Sequence, residues 1–179
     1  MGQIIWINGL AGAGKTTTAR ALCAKLEELQ KEGKLKQKGV IYIDGDDFRG
    51  IIENDGYDKN ARISVTRKKI LLCAALAKQG FCVVHTAISL FNECYEFNRK
   101  ICKENNLEFF EIYIKCPLEV LEARDQKGLY SGAKAGKIKD VVGVDIKFDT
   151  PKADLELNGT ETLANNVEKI MNFLKNNQL

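Results

Sequence analysis

Nine residues near the start of the chain, Gly9, Leu10, Ala11, Gly12, Ala13, Gly14, Lys15, Thr16 and Thr17, carry the first chemistry that can be read from this sequence. The first eight fit G-x-x-x-x-G-K-[ST] at every fixed position. Glycines in that pattern let the backbone wrap closely enough to aim its N–H groups at phosphate oxygens. A helix beginning at the lysine adds the favourable end of its dipole. Lys15 is expected to reach the β- and γ-phosphates of ATP, and the Thr16 hydroxyl to coordinate Mg²⁺.

Carboxylates stand ready opposite this cradle. The run IYIDGDDFRG (41–50) ends an apolar stretch in Asp44, Asp46 and Asp47. An Asp-Gly turn alone would be unremarkable in a loop. Beside a phosphate cradle, phosphoryl transfer needs a metal held in place and a hydroxyl relieved of its proton. Asp44 is suited to the metal and Asp46 to the proton. Arg49, Arg62 and Arg67 follow and suit an anionic acceptor, because guanidinium forks bind phosphate or sulfate oxygens in pairs; a solvated surface position is the other reading for Arg67. Ser89, just past a third apolar run, could position the backbone or touch a phosphate. His85 and Trp6 lie inside apolar runs and read as interior side chains.

The stretch 124–145, RDQKGLYSGAKAGKIKDVVGVD, holds Arg124, Lys127, Lys134, Lys137 and Lys139 between Gly128, Gly132, Gly136 and Gly143. A segment this cationic and this glycine-punctuated is expected to be mobile and to close over an anion.

The elements that must position these residues alternate along the chain. Apolar runs at 3–8, 40–44, 81–88 and 109–115 read as strands, and DLELN (154–158) can add a fifth. Between them lie helical patterns over 15–30, a stretch ending near 78, 91–104, a short helix begun by Pro117, and 161–175. Continuous apolar strands separated by helices indicate a mostly parallel five-stranded sheet covered on both faces, a three-layer α/β domain. At 179 residues the chain suits one domain, with 45% hydrophobic residues for its core.

Composition narrows the function. A net charge of +3 is too small to argue for a nucleic-acid polymer as partner. No run approaches the ~20 apolar residues of a membrane span, and the first residues lack a signal-peptide pattern. Six scattered cysteines without a C-x-x-C pair, and one histidine, suit reduced thiols in the cytoplasm rather than a zinc site. No N-K-x-D motif supports a GTPase. The size and the basic segment favour a small-molecule kinase; a nucleotide-binding module without activity is the competing class.

The whole resembles the adenylylsulfate kinases. IWINGLAGAGKTT is similar to that family's strand and P-loop, and IDGDDFR to its D-G-D-x-x-R segment. PLEVLEARDQKGLYSGAKAGKIK resembles P-L-E-V-C-E-x-R-D-x-K-G-L-Y-x-x-A-R-A-G-x-I-K over two dozen positions. The resemblance implies a P-loop nucleoside-triphosphate hydrolase fold and transfer of the ATP γ-phosphoryl group to the ribose 3′-hydroxyl of a nucleoside 5′-anhydride. It implies that Gly9 through Thr17 bind ATP phosphates, that Arg124 helps enclose the donor nucleotide, and that Lys127 and Lys139 belong to a lid. Arg49 and Arg62 would hold the anhydride end, with Tyr57, Ile88 and Val141 also on the acceptor side. Ser89 matches a serine to which a transient phosphate has been ascribed, although direct in-line transfer suffices for this chemistry. Small-molecule nucleotides are the expected partners, and a homodimer is left open.

Departures from the family pattern gather on the acceptor side. Ala87-Ile88-Ser89-Leu90 replaces F-I-S-P, Arg62-Ile63-Ser64-Val65 replaces an Arg-x-Glu-Asn run, and Val141 stands where the family has a phenylalanine that stacks on adenine. Tyr57 keeps the other stacking position. Losing one face of a base stack, worth ~1–3 kcal/mol, favours a smaller base. Members of the resembled family also act on other nucleoside 5′-anhydrides, and among these the resemblance implies cytidine diphosphoramidate as the acceptor, with adenylylsulfate as the alternative.

Overall fold

The computed structural model describes residues 2–53 and 56–177. Five strands, β1 (Gln3–Gly9), β2 (Val40–Ile43), β3 (Cys82–Ala87), β4 (Glu108–Lys115) and β5 (Leu155–Asn158), form one sheet in the order β2-β3-β1-β4-β5. Every pairing is parallel. The expected five strands are therefore present, in a sheet that is wholly parallel.

β1 explains the layers. All seven of its residues are buried, and alternate side chains leave opposite faces. Ile5 and Ile7 join a cluster with Leu22 and Leu26 of α1 (Lys15–Lys31) and Ile170 and Leu174 of α7 (Leu163–Asn176). Ile4 and Trp6 point into a second cluster with Ile70, Cys73 and Ala77 of α3 (Lys59–Lys78) and Cys102 of α4 (Asn92–Glu104). Helices thus cover both faces, as a continuous apolar strand requires. All six cysteines are free and buried, and His85 is an interior side chain whose Nδ1 lies 2.9 Å from the Ile43 carbonyl.

Two boundaries differ from the sequence expectation. The polar stretch after β2 is itself helical: α2 (Gly45–Ile51) starts on Asp44, whose side chain accepts from the Asp46 N–H. Asp44 is a helix cap rather than the last strand residue, because a carboxylate there satisfies an otherwise orphaned donor. Likewise Pro117 precedes α5 (Leu118–Arg124) as its cap residue.

Residues 124–145 are folded. A 3₁₀ turn at Gln126–Gly128 leads into α6 (Leu129–Lys134). Tyr130 is buried and its hydroxyl donates to the Ala11 carbonyl at 2.8 Å. Val141 and Val142 are also buried, within the larger core cluster. Among the described residues, the non-glycine positions with left-handed backbone are Glu53, Asn106, Asp125, Lys127 and Asp140, three of them in this segment. Such residues are costly unless their surroundings hold them. Here the Asp125 carboxylate accepts from the Tyr130 and Ser131 N–H groups, and that of Asp145 from those of Asp140 and Val141.

Candidate active site

The carboxyl ends of β1, β2 and β3 open into a cavity of about 630 Å³, roofed by residues 126–142. Open α/β sheets bind ligands at this end, and the volume suits a small-molecule site.

At one end lies the phosphate cradle. Gly12 and Gly14 have φ of 76° and 94°, conformations that a side chain disfavours. Gly14 caps α1 without any side-chain hydrogen bond, and no acidic residue occupies the first turn. The N–H groups at that helix end are thus not spent on a side chain, the arrangement that receives anions. Lys15 Nζ donates to the Leu10 carbonyl at 2.7 Å. Burial pulls the Lys15 ammonium down to about 8, against the attraction of Asp46 and Asp44. Arg124 reaches from α5 to the Gly12 carbonyl at 3.0 Å and the Gly159 carbonyl at 2.9 Å, tying the loop to the end of β5.

Thr16 and Asp44 meet beside the cradle. The Thr16 hydroxyl donates to Asp44 Oδ2 at 3.1 Å, and the Tyr42 hydroxyl donates to the same oxygen at 2.7 Å. Burial alone would push the Asp44 carboxyl up. Hydrogen bonds from Tyr42, from the Asp46 and Asp47 N–H groups and from Thr16 outweigh it and hold the group below its usual value. A hydroxyl and an ionised carboxylate at this spacing, next to a phosphate cradle, fit Mg²⁺, a hard cation that takes few protein ligands and completes its shell with phosphate and water oxygens. Asp46 lies on the cavity wall, exposed, with its Oδ2 4.0 Å from Lys127 Nζ of the roof.

The far end is cationic. Arg49 and Arg62 are buried yet line the cavity. Arg49 donates to the Gly56 carbonyl at 2.6 Å; Arg62 donates to Tyr57 O at 2.6 Å and Asp140 O at 2.9 Å. Both guanidinium carbons lie near the Tyr57 ring, at 4.5 and 5.5 Å from its centroid. Burial, with Arg49 adding repulsion, lowers Arg62 to about 10. Ile88, Lys139 and Val141 line the same space.

Of the charged and hydroxyl side chains singled out in the sequence, Ser89, Arg67, Arg124, Lys134 and Lys137 do not line this cavity, Arg124 bonding the Gly12 carbonyl of the cradle instead. Ser89 is buried; its Oγ accepts from Trp6 Nε1 at 3.3 Å and donates to Asn8 Oδ1 at 3.4 Å. Asn8 also brackets its backbone, accepting from Ser89 N and donating to Ser89 O. The serine faces the sheet interior because two remote β1 side chains claim its polar atoms. Arg67 is exposed on the outer side of α3, over the Phe97 ring at 5.1 Å.

Three further residues escape the sequence reading: Arg20 and Lys69, which line the cavity, and Tyr42, which holds the Asp44 carboxylate. Tyr42 lies two residues before Asp44, and strand alternation would have put both on one side. Arg20 lies four residues after Thr16 on α1, the same helical face. Lys69 lies seven after Arg62 and four after Val65 on α3, all lining the cavity. Their signal is spacing from a residue already identified.

The adenylylsulphate kinase family model matches residues 1–172. The chain belongs to the adenylylsulphate kinase family. A cytidine diphosphoramidate kinase of Campylobacter jejuni is 46% identical over 166 residues, covering 93% of this chain and 90% of that one. An adenylyl-sulfate kinase of Clostridium kluyveri is 36% identical over 176 residues, 97% of this chain and 83% of that one. The Mycobacterium tuberculosis APS kinase, solved with AMPPNP and APS, superposes with a TM-score of 0.86 at 30% identity, covering 97% of this chain and 98% of that one. As a member of the adenylylsulphate kinase family, the protein is a phosphotransferase with an alcohol group as acceptor. Among the described residues, no helix is long and apolar enough to cross a membrane.

Proposed function

We propose that the protein transfers the γ-phosphoryl group of ATP to the ribose 3′-hydroxyl of a nucleoside 5′-anhydride, with cytidine diphosphoramidate as the acceptor. The P-loop binds the donor phosphates and Lys15 places its charge on the transferring group. Thr16 and Asp44 would hold Mg²⁺, which when bound would supply positive charge to the phosphates. Asp46 accepts the proton of the 3′-hydroxyl as the new P–O bond forms and the bond to the leaving ADP breaks, in line. The roof excludes water that would otherwise accept the phosphoryl group.

The acceptor reading rests on one observation above the rest. Among the described residues lining the cavity, Tyr57 is the single aromatic one, and the lid offers Val141 instead. A one-sided stack suits a small pyrimidine better than adenine. The higher identity to the cytidine diphosphoramidate kinase than to the adenylyl-sulfate kinase supports the same choice. Adenylylsulfate is the second reading, favoured by the family model that spans the chain. The convergence of Thr16, Asp44 and Asp46 on one cavity argues against an inactive nucleotide-binding module.

The test is ADP release at fixed MgATP with each acceptor, followed by ³¹P NMR to locate the phosphate on the ribose. A higher kcat/KM for cytidine diphosphoramidate is expected. Efficient turnover of adenylylsulfate with none of the cytidine compound overturns the choice, and no ADP release with any acceptor overturns the kinase reading.

A further inference from the structure

Lys69 is 6% exposed and lies in the middle of α3. The residues after it, Ile70, Cys73, Ala74 and Ala77, continue the buried side of the helix as ordinary apolar packing. Lys69 is a lysine where that pattern asks for an aliphatic residue. Its side chain enters the cavity beneath the start of α2, so that a Cβ added at Gly45 would stand 3.0 Å from Nζ.

A buried ammonium needs partners for three donors, and Lys69 has few. Its Nζ sits 5.8 Å from the Phe48 ring centroid, and among the described residues it makes no hydrogen bond or ion pair. Arg49 nearby repels it, while Asp46 and Asp44 attract it from farther off; burial and Arg49 together bring it down to about 8. His85 from β3 gives no compensating charge, since burial, with Lys69 next, keeps that ring neutral. Arg62 spends Nε and one Nη on backbone carbonyls. Three buried cations converging on one wall repel one another unless an anion lies between them.

We propose that Lys69 is an acceptor-binding residue, its ammonium donating to an anionic oxygen of the acceptor's 5′-anhydride beside Arg49 and Arg62. This rests on the reading of the cavity as a nucleoside 5′-anhydride site, and deepens it. Arg49 and Arg62 are held rigidly by carbonyls and by the Tyr57 ring; Lys69 adds a flexible point charge from below. It is a specificity residue for the charged end of the acceptor and leaves the base to Tyr57 and Val141.

The experiment measures binding by calorimetry and ligand-observed NMR, with the P-loop saturated by Mg·AMPPNP. The probes are CDP against cytidine, and adenylylsulfate against adenosine. In Lys69→Met, affinity for the anhydride ligand should fall by roughly 10-fold or more, the loss expected of one charged hydrogen bond. Affinity for the bare nucleoside and for Mg·AMPPNP should hold, and Lys69→Arg should recover part of the loss. If Lys69→Met fails to fold, Lys69→Gln takes its place. Equal losses for anhydride and nucleoside, or none for either, overturn the proposal. The base choice is read separately in the wild type: if adenylylsulfate binds and CDP does not, the cytidine reading falls, and the role of Lys69 is decided by adenylylsulfate against adenosine.

Discussion

Lys127 Nζ stands 4.0 Å from Asp46 Oδ2, joining the roof of the cavity to its carboxylate wall. Both side chains are largely exposed, at 82% and 79%, so the pair is weak and readily broken. It sets the lid over the carboxylate proposed as the base without locking it there.

Asp46→Asn and Lys15→Ala should each reduce kcat by about 10²-fold or more, the scale of a lost proton acceptor or a lost charge on the transferring group. Asp46 makes no buried contact, so its variant should keep the wild-type melting temperature. Near wild-type kcat in Asp46→Asn would show that another group takes the proton.

Residues 124–145 should exchange their amide hydrogens faster without ligands than with Mg·AMPPNP and acceptor together. The segment is held to the P-loop through Tyr130 and Ala11 and to α3 through Asp140 and Arg62. Ordered phosphates beneath it add partners for Lys127 and Lys139. Hydrogen exchange read by mass spectrometry tests this, and identical protection in both states would reject it.

Val141→Phe should shift the kcat/KM ratio toward adenylylsulfate by about 5-fold or more, within the ~1–3 kcal/mol of a base stack. Val141 is only 3% exposed and packs in the core cluster. The added volume should therefore also cost about 1–3 kcal/mol of stability. Steady-state kinetics with both acceptors and a thermal melt separate the two effects.

Lys69→Met should stabilise the ligand-free protein, with a pH dependence of definite sign. Burial and Arg49 bring Lys69 from 10.5 to about 8. Below about pH 8 the ammonium is charged in both the folded and unfolded states, and its burial penalty is fully present. Between 8 and 10.5 the folded protein has released the proton and the unfolded chain has not, so wild-type stability rises relative to the variant. The lowering corresponds to roughly 3 kcal/mol at most. Melts from pH 7 to 10.5 should show the advantage of Lys69→Met shrinking as pH rises; a constant or growing difference would contradict this.

What the sequence alone determined is what contiguous residues encode. The cradle is eight residues of backbone instruction followed by a helix, so G-x-x-x-x-G-K-T names its own conformation and its ligand. Four apolar runs likewise declare a parallel sheet, because only strands buried on both faces can be continuously apolar, and the alternating DLELN adds the fifth strand. Asp44 and Asp46 were legible from their place at the end of one such run.

The tertiary structure decided the direction of single side chains, which depends on partners far along the chain. Ser89 follows a strand that ends at the cavity, yet Trp6 and Asn8 of β1 turn its hydroxyl inward. Arg62 and Arg67 are five residues apart on α3, and helical rotation puts one on the cavity wall and the other on the outer surface. Val141 is placed by its family resemblance on the acceptor side, but only packing of the roof segment against the core shows it buried beside the cavity. Lys69 belongs to no motif in the sequence; only the close approach of α2, permitted by Gly45, shows it as a buried cation facing the site. Local sequence specifies backbone shape, whereas the facing of a side chain is settled by which remote atoms can satisfy it.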